Sequence, residues 1–323
     1  MAPRKPERLS ALDLTEGLQL AHAAAALHDL GVLSSMTSPV TAEEVAKQHR
    51  LDAGMLRGAL DYLAARTDLV RKDGDRFVAS EGYDQSARFL LDVYALAYGA
   101  NAVRLAELLR HPSRARNAAE NTSLARAFKP QVGALPAIIR QLGFHHVLDL
   151  GCGAAGLLLA LAEDGPDFIG WGVERDPAMC RAARKNLRAA RITDRITLFE
   201  GDATRPNTLP RDVRREVETV VASQLANALT PAAAVAWLRR LRKAFPARPL
   251  LLADYYGRLG TGDARLHRET WLHDYAQLIS GQPVPPPDRE AWQALYIAAG
   301  CRLVHVMEDP RTTLFVHVVV LEG

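Results

Sequence analysis

Seven strand-like runs in the second half of the chain constrain the fold more than any other feature of the sequence. They are HVLDL, FIGWGVE, RITLFEG, VETVVAS, PLLLADYY, RLVHVME and TLFVHVVVLE, and mostly helical stretches separate them. Strands that alternate with helices are typical of an α/β domain with a largely parallel sheet. The last two runs are joined only by DPRT. So short a link cannot cross over the sheet, so this pair must form an antiparallel hairpin.

The first 85 residues have a different pattern. The segment LSALDLTEGLQLAHAAAALHDLGVL has alanine and leucine at helical spacing, and TAEEVAKQHR and DAGMLRGALDYLAART predict two further helices. Asp73-Gly74 between two strand-like runs then predicts a hairpin. Helix, helix, helix, hairpin is the order of a winged helix. Residues 86–141 are predicted to be a helical connector, with ARFLLDVYALAYGANAVRLAELL as a long amphipathic helix, and residues 142–323 form the α/β domain.

Composition excludes several classes of protein. With 323 residues, of which 48% are apolar and 24% charged, the chain is long enough for two ordinary globular domains. Cys152, Cys180 and Cys301 lie far apart without the paired spacing of a zinc site, which suits a reducing compartment. We find neither the apolar core of a signal peptide nor an apolar run long enough to span a membrane, so we expect a cytoplasmic protein without membrane partners.

A glycine-rich loop follows the first of the seven strands. In VLDLGCGAAG, the residues Gly151, Gly153 and Gly156 form a G-x-G-x-x-G pattern ahead of the helical stretch LLLALAED. Glu174 ends the next strand at about the ~20-residue spacing expected of an acid that binds a ribose. Taken alone, this pattern fits a dinucleotide-binding loop.

The acid just ahead of the glycines indicates a different ligand. The Asp149 carboxylate would lie beside the two negative charges of a pyrophosphate, and like charges at short distance repel. S-adenosylmethionine instead carries a sulfonium and an ammonium cation, which an acid attracts. The terminal antiparallel hairpin, which a dinucleotide domain of six parallel strands does not need, points the same way.

From Phe144 to Gly323 the chain resembles the class I S-adenosylmethionine-dependent methyltransferases, whose glycine motif looks like LDLGCGAAG. The resemblance implies a Rossmann-like seven-stranded sheet with an antiparallel last strand, S-adenosylmethionine as cofactor and S-adenosylhomocysteine as its product. It also implies which part of the cofactor each segment contacts: the glycine loop the methionine part, the end of the second strand the ribose, the third strand the adenine, and the fourth strand the sulfonium side. The cofactor-binding residues implied are Asp149, Gly151, Gly153, Glu174, Asp202, Ala203, Ser223 and Gln224.

The N-terminal part narrows the resemblance to the small-molecule O-methyltransferases that contain a winged helix. This implies a homodimer formed through the N-terminal domain. A winged helix that binds DNA is the main alternative without enzymatic activity. Up to residue 85, however, we count 10 Lys and Arg against 13 Asp and Glu, and DNA binding requires the opposite balance. We therefore expect no nucleic-acid partner.

One position departs from the family pattern. A histidine that takes the hydroxyl proton follows the fourth strand in these enzymes, and matching the helix AAVAWL to theirs puts Asn227 at its place. Asparagine cannot accept a proton at neutral pH, so we expect Asn227 to orient the acceptor. Other candidate catalytic residues are His267 and His273, in RLHRETWLHDYAQLI, and Asp254, at the end of the fifth strand. We predict no metal, although some keto-acid C-methyltransferases of this build bind iron through histidines, and a site made from these three residues is an alternative to be tested.

The substrate is expected to be a small molecule of amino-acid, keto-acid or aromatic type in secondary metabolism, methylated mainly through positioning. Polar and aromatic side chains predicted to line its pocket are Tyr94, Tyr98, Asn101, Tyr255, Tyr256, Trp271 and Gln277. Because the usual base is missing, an enzyme that cyclises or rearranges S-adenosylmethionine without methylation is the second hypothesis.

Overall fold

The computed structural model describes residues 9–115, 123, 134–261, 267–308 and 312–322. The chain divides between Gly99 and Ala100 into two compact units, which we describe separately. No helix within the described ranges is long and apolar enough to cross a membrane. The boundaries of the three predicted segments, 1–85, 86–141 and 142–323, stay predictions.

The first unit consists of helices and a small antiparallel sheet. Its helices are α1 (Ala11–Asp29), α2 (Val32–Ser35), α3 (Ala42–His49), α4 (Ala53–Arg66) and α5 (Gln85–Leu90), and its strands are β1 (Val40–Thr41), β2 (Val70–Asp73) and β3 (Arg76–Ala79). The strand order is β1-β3-β2, and Gly74 turns the predicted hairpin with a φ of 59°. Leu33, Met36, Leu60 and Phe77 are fully buried in its core. The predicted order of helices followed by a hairpin is confirmed.

The long helix predicted after residue 86 is interrupted. A π-helix (Leu91–Ala97) follows α5, and the chain then forms only α6 (Gly99–Ala102) and α7 (Leu105–Leu108). The Tyr98 N–H donates to the Val93 carbonyl, five residues back, which widens the turn. Within this wide turn Asp92 is buried and contacts the His28 ring, with 3.0 Å between Oδ1 and Nε2.

The second unit contains the alternating elements that the sequence predicts. Its further helices are a 3-10 turn (Pro112–Arg114), α8 (Leu135–Gln141), α9 (Gly156–Asp164), α10 (Pro177–Ala190), a 3-10 turn (Pro206–Thr208), α11 (Arg211–Glu216), a 3-10 turn (Ala226–Ala228), α12 (Pro231–Ala244), α13 (Arg268–Ile279) and α14 (Arg289–Ala299). Its strands are β4 (His146–Leu150), β5 (Ile169–Glu174), β6 (Ile196–Glu200), β7 (Thr219–Ser223), β8 (Pro249–Tyr255), β9 (Arg302–Glu308) and β10 (Leu314–Val320).

These strands form one seven-stranded sheet in the order β6-β5-β4-β7-β8-β10-β9. The pairs among β4 to β8 are parallel, and β10 runs antiparallel to both of its neighbours, β8 and β9. The predicted sheet with its reversed last strand is therefore confirmed. The parallel strands place Asp149, Glu174, Ser223 and Asp254 at or near their carboxyl ends. Sheets of this type bind their ligands at that edge.

Candidate active site

The glycine loop makes a tight turn directly after β4. Gly151 and Gly153 have φ angles of 78° and 52°, in the left-handed region that glycine adopts without strain. The N–H groups of Gly151 and Cys152 both donate to the Val173 carbonyl, at 2.8 and 3.1 Å. These two bonds fix the loop to the neighbouring strand β5 and bring its backbone next to the end of that strand.

Two carboxylates lie at this loop. Asp149 is 3% exposed, and no described residue donates a hydrogen bond to its carboxylate. Burial, reinforced by the negative charge of Glu174, raises the pKa of Asp149 from 3.8 to about 7. The Glu174 carboxylate accepts hydrogen bonds from the Gly153 N–H at 3.0 Å and from the Arg175 and Asp176 N–H groups at 2.8 Å.

This arrangement fits a cationic ligand. A buried carboxylate without a donor, next to a second acid, is electrostatically uncompensated, and a sulfonium or ammonium group in the loop would supply the missing positive charge. A pyrophosphate would add negative charge to the same place. S-adenosylmethionine therefore fits the residues that surround the loop, and a dinucleotide does not.

The predicted adenine and sulfonium contacts lie on the loops after β6 and β7. The Asp202 carboxylate accepts bonds from the Thr204 N–H at 2.8 Å and hydroxyl at 2.7 Å, and the Ala203 carbonyl accepts the indole N–H of Trp237 at 3.2 Å. Ser223 ends β7 half-buried. Gln224 follows with a backbone φ of 54°, which residues other than glycine rarely adopt.

Asn227, which is predicted to stand at the place of the family's histidine, is held by the next strand. Asn227 lies in the 3-10 turn after β7 and is 3% exposed. Its backbone N–H donates to Asp254 Oδ2 at 3.0 Å, and its side-chain Nδ2 donates to Asp254 Oδ1 at 2.9 Å. Nδ2 also lies 3.3 Å from the Gln224 Oε1 acceptor. These bonds fix the amide of Asn227 in one orientation, with its carbonyl oxygen directed away from Asp254.

Helix α13 adds two more side chains to this network, and the end of β8 adds a third. Gln277 Nε2 donates to Asn227 Oδ1 at 3.0 Å and lies 3.1 Å from His273 Nε2. The Tyr255 hydroxyl donates to Gln277 Oε1 at 3.2 Å. We name the connected set Gln224, Asn227, Asp254, Tyr255, His273 and Gln277 the amide cluster. All six of its members are residues that the sequence singles out.

The titratable groups of the amide cluster are shifted toward their neutral forms. Burial raises the pKa of Asp254 from 3.8 to about 7, although Asn227 and Tyr255 donate hydrogen bonds to its carboxylate. Burial also lowers the pKa of His273 from 6.5 to about 4. The imidazole of His273 is therefore uncharged at neutral pH, and its Nε2 accepts the hydrogen bond from Gln277.

The remaining predicted residues are not part of the amide cluster. His267 lies just before α13 and makes none of its hydrogen bonds, and the buried indole N–H of Trp271 has no partner. The Tyr256 hydroxyl contacts Glu308 and His317 instead. Asn101 is fully buried and donates to the Ser280 hydroxyl at 2.8 Å. The rings of Tyr94 and Tyr98 stack on each other in the first unit.

Asp274 is a structurally important residue that the sequence analysis missed. Its side chain is fully buried on α13, and its Oδ2 accepts the N–H groups of Arg258 and Leu259 at 2.5 and 2.8 Å. These bonds join α13 to the segment after β8, next to the amide cluster. Only its adjacency to His273 could have pointed to it. Among the described residues, no group of three or more His, Cys, Asp and Glu side chains could hold a metal ion.

Comparison with known proteins gives a family for the segment that contains the glycine loop and Asn227. The model of the methyltransferase-domain family matches residues 147–245. Release factor glutamine methyltransferase of Rhodospirillum rubrum is 41% identical over 56 residues, which are 17% of this chain and 17% of that protein. The chain thus matches less than a fifth of the length of that relative.

Solved structures of similar fold extend over nearly the whole chain. The mitomycin 7-O-methyltransferase MmcR has a TM-score of 0.71 at 20% identity, covering 96% of each chain. An O-methyltransferase family protein from Burkholderia thailandensis has a TM-score of 0.68 at 17% identity, covering 98% of this chain and 99% of its own. CalO1, a methyltransferase in calicheamicin biosynthesis solved with S-adenosylhomocysteine, has a TM-score of 0.64 at 21% identity, covering 97% and 99%.

At these identities the solved structures show a shared fold, and the family match concerns the domain alone. The acid-lined glycine loop is consistent with both, because its charge fits the cofactor that such domains use. Residues 147–245 therefore belong to a methyltransferase domain, and over nearly its whole length the chain has the fold of these solved methyltransferases.

Proposed function

We propose that this enzyme methylates a small polar molecule in secondary metabolism, in the cytoplasm and as a homodimer, and that its catalysis depends mainly on positioning. The observation that carries the proposal is the fixed orientation of Asn227, which Asp254 holds through two hydrogen bonds at the place of the family's base. MmcR and CalO1 have this fold, and their names place them with mitomycin and with calicheamicin biosynthesis. This supports a biosynthetic role for the present protein.

We propose the cofactor-binding residues from the charges of their side chains and from their positions at the carboxyl ends of the strands. S-adenosylmethionine supplies an electrophilic methyl group when it is bound. Asp149 would face its positive charge, and Glu174, already bonded to the Gly153 N–H, has further lone pairs for the ribose hydroxyls. Asp202 and Ala203 follow β6 and would border the adenine. Ser223 and Gln224 would border the sulfonium side, between the glycine loop and the amide cluster.

Asn227 is proposed to orient the acceptor, and not to take its proton. Its Nδ2 hydrogens are directed to Asp254 and Gln224, so its carbonyl oxygen is the group that remains for a ligand. An oriented acceptor at the right distance from a methyl donor can lower the barrier by several kcal/mol, on the order of 7 or more for ideal alignment. Strong base catalysis is then not required of this position.

His273 is the candidate for a base within the amide cluster. Its Nε2 lone pair points to Gln277, and its low pKa keeps it unprotonated at neutral pH but makes it a weak proton acceptor. Among the described residues, His267 makes none of the hydrogen bonds of the cluster, so we propose no catalytic role for it. Tyr255 and Gln277 are proposed as substrate contacts. Tyr94, Tyr98, Asn101, Tyr256 and Trp271 stay predictions as pocket residues.

The homodimer is proposed from the apolar surface of the first unit. Leu12, Leu14 and Leu18 on α1 are 75%, 59% and 52% exposed, and Leu9 just before the helix is 62% exposed. Exposed leucines concentrated on one short segment are candidates for burial against a partner. A second copy of this chain, which presents the same leucines, is the partner that we propose.

Incubation with S-adenosylmethionine tests the proposed function. Purified protein is mixed with the cofactor alone and with a panel of small amines, phenols and keto acids, and the products are identified by mass spectrometry. We expect S-adenosylhomocysteine only when an acceptor is present. Consumption of the cofactor without any acceptor would instead support cyclisation or rearrangement, and an absence of cofactor binding by calorimetry would contradict the proposal altogether.

A further inference from the structure

Two amide oxygens of the amide cluster, Asn227 Oδ1 and Gln277 Oε1, keep acceptor positions for a ligand. Both hydrogens of Asn227 Nδ2 and both hydrogens of Gln277 Nε2 are directed to partners within the cluster. Asn227 Oδ1 and Gln277 Oε1 each accept one hydrogen bond from a described residue, and a carbonyl oxygen has two lone pairs. Two oxygens of fixed orientation therefore each keep one acceptor position.

Among the described residues, no Lys or Arg side chain donates a hydrogen bond to Asp254, Asn227 or Gln277. The Asp254 carboxyl group lies behind Asn227, and when it is ionised its charge adds to the partial negative charges of the two carbonyl oxygens. Such a surface repels a carboxylate acceptor and attracts a group with positively polarised N–H bonds.

We propose that the acceptor atom of this methyltransferase is an amine nitrogen, bound by Asn227 Oδ1 and Gln277 Oε1. This inference rests on the proposed function. In the transfer step, the nitrogen lone pair forms the new N–C bond, the S–C bond breaks and its electron pair returns to sulfur. The products are S-adenosylhomocysteine and an N-methylated ammonium, which then loses its additional proton to water.

The interaction between the acceptor nitrogen and the two carbonyl oxygens becomes stronger as methyl transfer proceeds. Positive charge develops on the nitrogen, and its N–H bonds then donate charge-assisted hydrogen bonds to the two carbonyl oxygens. Stabilisation that grows toward the transition state accelerates the reaction. An amine that reaches the site unprotonated has its lone pair free and needs no base before its attack, whereas a hydroxyl generally does, and Asn227, which cannot accept a proton, stands at the predicted position of the usual base.

One molecule that contains both nucleophiles tests the proposal directly. Wild-type protein is incubated with S-adenosylmethionine and 3-aminophenol, and 3-(methylamino)phenol and 3-methoxyaniline are separated by chromatography and quantified by mass spectrometry. We expect at least a tenfold excess of the N-methylated product. In the Gln277→Met variant, which keeps the side-chain volume but removes the acceptor, we expect the N-methylated product to fall about tenfold. The matched Gln293→Met variant, at an exposed position, should behave as wild type.

Binding gives a second readout that does not depend on turnover. Protein saturated with S-adenosylhomocysteine is titrated at pH 8.5 with tryptamine and with tryptophol, which differ only in the amine and the hydroxyl. We expect tryptamine to bind at least tenfold more tightly, and Gln277→Met to remove the difference. Equal binding, tighter binding of the alcohol, or a majority of O-methylated product would overturn the proposal. Cofactor binding with O-methylation would leave the proposed function intact, whereas loss of cofactor binding itself would contradict that function.

Discussion

Asp254 and Asn227 form a two-point contact across adjacent parallel strands. The Asp254 carboxylate, at the end of β8, accepts both the backbone and the side-chain N–H groups of Asn227, which follows β7. A histidine at this place would act through its ring nitrogens. Asparagine in the same place is a fixed dipole whose carbonyl oxygen is held in one direction. The substitution therefore exchanges a titratable group for an orienting group.

Replacement of Asn227 by leucine removes this dipole at similar volume. Asp254 then loses one of the three hydrogen bonds that residues 227 and 255 donate to its buried carboxylate, the bond from the side chain of Asn227. The backbone bond can persist, so we expect the free energy of unfolding to fall by about 1–3 kcal/mol. Denaturant titration at pH 7.5 measures this loss, and exposed Asn207→Leu is the control. An unchanged midpoint would show that the contact does not stabilise the fold.

The pH dependence of stability tests the raised pKa of Asp149. Since its pKa rises from 3.8 to about 7 on folding, the folded state holds a proton that the unfolded state loses between these values. Its contribution to stability is present at low pH and is lost as the pH rises from about 4 to 7. The variant Asp149→Asn lacks this titration. Its free energy of unfolding relative to wild type should therefore rise by about 2–4 kcal/mol between pH 4 and 7, and the difference should stay constant above pH 7.

For His273, the stability difference between variant and wild type should change with pH in the opposite direction. Burial lowers its pKa from 6.5 to about 4, so the unfolded state binds the proton that the folded state excludes. Wild-type stability from this group rises with pH between about 4 and 6.5. His273→Gln should accordingly lose stability relative to wild type as the pH rises through this window. Thermal unfolding in a pH series checks both variants, and parallel curves for either variant and wild type would refute the shift concerned.

Charge placed on α1 tests the proposed dimer. Leu12→Glu and Leu18→Glu keep good helix formers at exposed positions, so the fold should persist. We expect the double variant to be monomeric by light scattering at concentrations where wild type is dimeric. Leu109→Glu changes a leucine of similar exposure, 76%, outside this segment, and should leave the dimer intact. A wild-type monomer, or a dimer that survives both changes, would contradict this interface.

The sheet and the charge of the glycine loop could be predicted because their signals are local in the sequence. Alternation and turn residues define the strands from β4 to β10, and the DPRT link alone forces the last pair to be antiparallel. Asp149 stands directly ahead of the glycines, so its place at the loop follows from the strand that it belongs to. Such signals need no knowledge of how distant segments pack.

The amide cluster could not be assembled from the sequence, although each of its members could be singled out. Gln277 contacts Asn227 across 50 positions, and nothing local to α13 shows which of its faces is buried. Hydrophobicity would place Leu272 and Leu278 inside, yet they are 44% and 50% exposed while Asp274 and Gln277 are buried. Hydrogen bonds offset part of the loss of water at these two buried side chains, through Asp274 Oδ2 and through both ends of the Gln277 amide.

The central claim is that the acid ahead of the glycine loop faces a cationic cofactor. Calorimetric titration of S-adenosylmethionine at pH 7, in two buffers of different ionisation enthalpy, measures the protons released on binding. With a pKa of about 7, Asp149 is about half protonated before binding. Wild type should therefore release about half a proton more than Asp149→Asn on binding the cofactor. The variant should also bind S-adenosylmethionine at least tenfold more weakly. Equal affinity and equal proton release in the two proteins would contradict the account.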